Sequence, residues 1–86
     1  MSALVKIYTT KFCSYCIRAR RLLNDKGIEY QDIRVDEDIL QMQEMVRLSG
    51  RHTVPQIWIG ERHVGGYTDL SALDDAGELD ALLAVE

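Results

Sequence analysis

Apolar positions in this chain alternate in some stretches and recur at helical spacing in others, and that change of period lays out the fold. Leu4–Tyr8 is a short apolar run with Lys6 turned out, ended by Thr9 and Thr10, and it predicts a strand. Residues 14–26 change period. Ile17, Ala19, Leu22 and Leu23 can share one stripe, with Arg18, Arg20 and Arg21 largely outside it, so this stretch predicts a helix stopped by Gly27. Glu29–Val35 alternates again and predicts a second strand. Asp36, Glu37 and Asp38 then form an acidic first turn suited to a helix dipole. Ile39, Met42, Met45 and Val46 carry that helix to Gly50, with the methionines as core filling.

Val54-Pro55 opens a third predicted strand that runs through Trp58 and Ile59. Gly60-Glu61 turns the chain back into a fourth, Arg62–Gly65. Thr68 or Asp69 can cap a helix through Leu70 and Leu73, Gly77 breaks it, and Leu79 to Val85 is a last apolar segment. The order β-α-β-α-β-β-α, with a parallel start and a closing hairpin, implies an α/β protein. Its central mixed sheet has helices on both faces.

Composition narrows the class. Eighty-six residues fit a single domain over 1–86, and 47% hydrophobic residues suffice for a small core. Two cysteines close together exclude a disulfide scaffold of the secreted kind. No secretory leader and no membrane-length apolar run is read, so a soluble cytoplasmic protein is expected. The net charge of −4 argues against nucleic acid as a partner. The charge is unevenly spread. Residues 1–34 carry seven basic side chains against three acidic, and the remainder three against eleven. Most of these charges solvate surfaces. Lys11 stands apart because it lies two positions before a cysteine.

The candidate chemistry is Cys13-Ser14-Tyr15-Cys16 at a strand-to-helix junction. Two intervening residues, wound into a helical turn, bring the sulfurs within bonding reach. Cys13 falls at the helix N-terminus, where free N–H groups and the dipole favour a thiolate, the form that attacks disulfides. Cys16, one turn further in, is expected to be more buried. Cys13 therefore attacks and Cys16 resolves. The same spacing occurs in half of a zinc site, but His52 and His63 lack the close pairing that completes one, so no metal site is assigned. An inert buried pair is the other alternative.

Other residues suit a small anionic peptide. Lys11 can pair with a carboxylate. Thr53-Val54, ahead of Pro55, offers extended backbone for strand-like pairing, and a cis Val54–Pro55 bond would aim it at the cysteines. Gly65-Gly66-Tyr67-Thr68-Asp69 puts a glycine turn before a helix N-terminus, an anion seat, where Asp69 can accept from an amino group.

Together these motifs closely resemble the glutaredoxin family, in its small bacterial form. The likeness runs from Leu4–Thr9 through Lys11 and Cys13–Cys16 to Ala19, Leu22-Leu23 and Gly27. It continues through Ser49-Gly50-Arg51, Thr53–Ile57, Ile59, Gly65-Gly66 and Asp69-Leu70. The resemblance implies a thioredoxin-like fold with a central four-stranded mixed sheet, a cis Pro55, and glutathione as reductant and co-substrate. It implies that Lys11, Tyr15, Thr53, Val54, Thr68 and Asp69 contact glutathione, with Arg47 or Arg51 as helpers and Gly66 admitting its backbone. The expected activity is reduction of disulfide-bonded and glutathionylated proteins by a monomer. Ser14 departs from the proline common in the family. It resembles members that hold a [2Fe–2S] cluster between two subunits through the first cysteine and glutathione, so a cluster-bridged dimer is the alternative.

Overall fold

A computed structural model describes residues 4–84. Its elements are β1 (Val5–Thr9), α1 (Ser14–Asp25), β2 (Gln31–Arg34), α2 (Ile39–Ser49), β3 (Gln56–Ile59), β4 (Arg62–Gly65), α3 (Tyr67–Asp75) and α4 (Leu79–Leu83). The four strands form one mixed sheet in the order β2-β1-β3-β4. β1 pairs parallel with β2, from Lys6 opposite Gln31 to Thr9 opposite Arg34, and antiparallel with β3, where Ile7 faces Ile57. β3 and β4 close the sheet as an antiparallel hairpin. This is the mixed sheet with helices on both faces that the periodicity implied, and the thioredoxin-like fold that the family resemblance implied.

Alternation along the central strands sorts side chains to two faces. Val5, Ile7, Ile57 and Ile59 join Ala19 and Leu23 of α1, Leu70 of α3, and Leu79 and Leu83 of α4 in one buried cluster. Tyr8 points the other way and meets Val35 and Met45, with Met42, Val46, Val54 and Trp58 packed around them. Each fully buried aliphatic side chain contributes about 1.5–3 kcal/mol of transfer free energy. The sheet thus separates two small cores, and α2 covers its second face alone.

Several expected boundaries move. The first strand begins at Val5, and the second shortens to Gln31–Arg34. The third begins at Gln56, leaving Val54-Pro55 as the loop that feeds it. Asp36 and Glu37 lie before α2, and only Asp38 touches it, accepting the Leu40 N–H at 2.9 Å as the N-cap. The last apolar segment is a short helix, and Val85 lies outside the described residues. Ile17 is 48% exposed and not part of the α1 stripe. Cys16, Ala19 and Leu23 share the inward face at helical spacing, and a residue one step past Cys16 is turned ~100° away.

Polar ties lock α1 over the sheet. Arg20 donates from Nε to Asp32 at 2.7 Å and from Nη2 to the hydroxyl of fully buried Thr9 at 2.7 Å. The Thr9 hydroxyl in turn donates to Asp32 at 2.6 Å. At the other end of α1, Lys26 pairs with Asp74 of α3 at 2.7 Å. Together these contacts fix the helix that carries both cysteines relative to β1, β2 and α3.

Candidate functional site

The site gathers at the C-terminal end of β1, where the chain leaves the sheet and enters α1. Lys11 and Phe12 lie in this connection and Cys13 ends it. The connection is held from the side by Asp36, whose carboxylate accepts the Lys11 backbone N–H at 3.1 Å and the Arg34 guanidinium at 2.7 Å. The guanidinium holds this carboxyl well below the usual carboxylate range. Nothing in the acidic run 36–38 marks Asp36 out for this task, because the pairing depends on how β2 ends.

Cys13 is itself the N-cap of α1, with extended backbone, and its Sγ accepts the N–H of Cys16 at 3.3 Å. That first-turn N–H, one of those a helix start leaves without an intrahelical acceptor, is aimed at the sulfur. Cys13 Sγ also lies 3.7 Å from the Val54 carbonyl oxygen, to which the thiol can donate. Both cysteines are free thiols; Cys13 is half-buried and Cys16 completely buried. Burial, reinforced by a hydrogen bond to Cys13, pushes the Cys16 thiol up to about 12. The two sulfurs thus sit in unlike settings, as the helix position of each implied.

Beside Cys13 an open groove of about 170 Å³ runs between the start of α3 and the 51–55 loop with the first residue of β3. Of the residues picked out by sequence, Tyr15, Thr53, Val54, Pro55, Gly66, Thr68 and Asp69 all line it. The Val54–Pro55 bond is cis, as expected. Lys11 does not line the groove: its Nζ stands over the exposed Phe12 ring, 5.4 Å from the centroid. Of the two arginine helpers, Arg51 lines the groove, whereas Arg47 pairs with Glu44 on α2. Tyr67 and Gln56 also line it. Their sequence signals, an aromatic after a glycine pair and a glutamine opening a strand, are too common to single out.

α3 starts two to three residues earlier than a cap at Thr68 or Asp69 would place it. Its N-cap is Gly66, and Asp69, three residues on, accepts the Gly66 N–H at 3.0 Å. Thr68 and Asp69 therefore sit in the first turn instead of capping it. Gly65 is required here: its φ is +115°, and a Cβ would stand 2.3 Å from Asp69 Oδ2. A Cβ on Gly66 would meet only the Pro55 carbonyl at 3.5 Å, so folding tolerates a side chain that would protrude beside the groove. Arg51 stands 3.8 Å from Asp69, which leaves one positive and one negative group at the same rim.

Under the groove, buried Gln56 donates from Nε2 to the Thr53 carbonyl at 3.0 Å and to its hydroxyl at 3.2 Å. Gln56 Oε1 meets His63 Nε2 at 2.7 Å. Burial, and secondarily Arg51, holds His63 below its ordinary pKa. His52 is exposed. Among the described residues, no group of three or more His, Cys, Asp or Glu side chains could hold a metal ion. No helix among them is long and apolar enough to cross a membrane.

A half-buried and a buried thiol stand one helical turn apart, next to an extended loop and a helix N-terminus, an arrangement capable of thiol–disulfide exchange. The chain is similar in sequence and fold to known proteins. The glutaredoxin family model matches residues 5–64. A glutaredoxin of Pseudomonas aeruginosa is 56% identical over 80 residues, covering 93% of this chain and 95% of its own. Glutaredoxin 3 of Escherichia coli (strain K12) is 49% identical over 79 residues, covering 92% and 95%. Among solved structures, the buckwheat glutaredoxin–glutathione complex superposes with a TM-score of 0.86 at 26% identity, covering 94% of this chain and 76% of that one. The chain belongs to the glutaredoxin family, a family of thiol–disulfide oxidoreductases.

Proposed function

We propose that this protein uses glutathione to reduce protein disulfides and glutathionylated proteins in the cytoplasm, with Cys13 as nucleophile and Cys16 as resolving thiol. The observation that carries the reading is the placement of Cys13 Sγ against the Val54 carbonyl, next to a groove lined by Tyr15, Thr53, Gly66, Thr68 and Asp69. The bound tripeptide lies along Thr53-Val54, whose backbone groups pair with it as with a strand. Its amino end is received by Asp69, and the first-turn N–H groups of α3 face its carboxylate. Arg51 supplies positive charge at the rim, and Lys11 joins it by turning its long side chain off Phe12. The buckwheat complex, a glutaredoxin of the same fold with glutathione, supports the choice of ligand.

The chemistry follows thiol–disulfide exchange. Cys13 thiolate attacks the glutathione sulfur of a mixed disulfide. A Cys13–glutathione disulfide forms, and the substrate cysteine leaves as a thiolate that takes up a proton. A second glutathione thiolate then attacks the glutathione sulfur on Cys13, releasing oxidised glutathione and restoring the Cys13 thiolate. For a protein disulfide, Cys13 forms a mixed disulfide with one substrate sulfur and frees the other. Cys16, losing its proton, then attacks Cys13 and expels the substrate. The resulting Cys13–Cys16 disulfide is reduced by two glutathiones in turn.

Nothing in the site favours the cluster-bridged dimer that Ser14 raised. The test is a glutathione-coupled assay with both substrate types. Cys13→Ser should abolish turnover of each while leaving stability nearly unchanged, since serine is itself a preferred N-cap. Cys16→Ser should keep deglutathionylation and lose reduction of protein disulfides. Full activity of Cys13→Ser would overturn the scheme.

A further inference from the structure

Thr53 is the loop residue that the proposed ligand pairs with, yet it is exposed and belongs to no strand or helix. What fixes it comes from below. Its carbonyl and hydroxyl both accept from Gln56 Nε2, and Gln56 is 1% exposed. The carbonyl can only accept, so the amide orientation is settled: Nε2 faces Thr53, and Oε1 faces His63. An amide oxygen can only accept as well. The 2.7 Å contact therefore requires a hydrogen on His63 Nε2. The neutral Nε2–H tautomer and the imidazolium both carry it, so the contact does not depend on whether the ring is charged.

His63 is itself held. It sits on β4 opposite Trp58 of β3, and the two rings overlap at 4.6 Å between centroids with a 30° tilt. Trp58 is backed edge-on by buried Tyr8, at 5.3 Å. The outcome is an unbroken line of contacts from the hairpin to the loop: aromatic support, imidazole N–H, amide, then the Thr53 carbonyl and hydroxyl. Without the imidazole donor, Gln56 Oε1 would be a buried acceptor with no partner. A buried amide in that state gains by turning toward other partners, which releases Thr53.

We propose that His63 is a positioning residue for ligand recognition: through Gln56 it fixes the register of Thr53, the backbone edge that receives the tripeptide. This inference rests on the glutathione reading and deepens it. His63 lies outside the groove lining, so its effect is on binding more than on the attack by Cys13.

The test compares His63→Phe, which keeps a ring for Trp58 but has no N–H, with His63→Gln, whose amide can donate again. Steady-state kinetics with a glutathionylated peptide should show KM raised several-fold in His63→Phe with kcat within about a factor of two. His63→Gln should recover most of the lost KM. Equal KM values for His63→Phe and wild type, or equal impairment of both variants, would overturn the proposal, the second because it would assign the effect to packing. Nitrogen-15 NMR of the free wild-type protein tests the relay without any variant having to fold. It should show a protonated Nε2 on His63 coupled across the hydrogen bond to Gln56, and an unprotonated Nε2 overturns it. If wild type turns over no glutathionylated substrate while the NMR shows the relay, the functional reading fails and the relay stands as structure alone. Turnover with no relay sinks only the role of His63.

Discussion

At the scale of single residues, the candidate site gives two identical side chains unlike surroundings. Cys16 has no exposed surface and its thiol is held at about 12, so at neutral pH it stays protonated. Brief treatment of the reduced native protein with iodoacetamide near pH 7.5 should alkylate Cys13 alone. Mass spectrometry should find one adduct on native protein and two after unfolding. The linkage has a definite sign. A thiol whose folded pKa is raised contributes stability fully below its unfolded value, near 9.0, and loses it as pH climbs from there toward about 12. Part of the alkaline loss of stability should therefore disappear in Cys16→Ala. This asymmetry was legible in the sequence, because C-x-x-C at the start of a helix places one sulfur on the rim and the other a turn inside. The Asp36 tether to Lys11 was not, since it depends on where β2 stops. The misplacement of Ile17 has a simple cause: Cys16, read as chemistry, was also the apolar residue of that face.

At the scale of elements, the glycine pair and α3 form one device. Gly65 takes a backbone shape that side chains resist, Gly66 caps the helix, and Asp69 closes the cap from within. Asp69→Ala should lower stability by about 1 kcal/mol, mostly through the lost cap. The exposed Arg51 contact at 3.8 Å adds little. Urea denaturation measures that loss. The same variant should also raise KM for the glutathionylated substrate, because the carboxylate stands at the groove rim. Sequence placed this helix but assigned the cap to Thr68 or Asp69. Glycine has no side chain to advertise a cap, so the polar residues after it drew the assignment. The strand feeding the site was likewise read two residues long, since Val54-Pro55 is apolar enough to resemble β3 while lying in the loop before it.

At the scale of the whole molecule, a sheet with a small core on each face has little redundancy. An 86-residue domain has roughly 4–13 kcal/mol of stability at ~0.05–0.15 kcal/mol per residue. Met45 is the buried α2 side chain of the second core, and Met45→Ala should cost about 2–5 kcal/mol. Leu40, on the same helix but 70% exposed, should change stability by less than about 0.5 kcal/mol when replaced by alanine. Urea midpoints of the two variants compare them directly. The two-sided architecture was legible because β1 alternates and both long helices carry an apolar stripe. The polar links were not. Arg20 was read as a solvating charge, yet it joins Thr9 and Asp32 across three elements.

The cap on α1 has a thermodynamic corollary. The atom that ends the helix by accepting the Cys16 N–H is also the atom that the proposed cycle oxidises. Folding and reduction are therefore two sides of one closed cycle, and their free energies cannot be set independently. Whatever this contact contributes to the reduced protein beyond the oxidised one is a bias toward holding electrons. For a two-electron couple, each 1.4 kcal/mol of such preference makes the protein about 30 mV more oxidising. The difference between two denaturation curves, one for each redox state, then gives how far folding moves the midpoint potential from that of the unfolded chain.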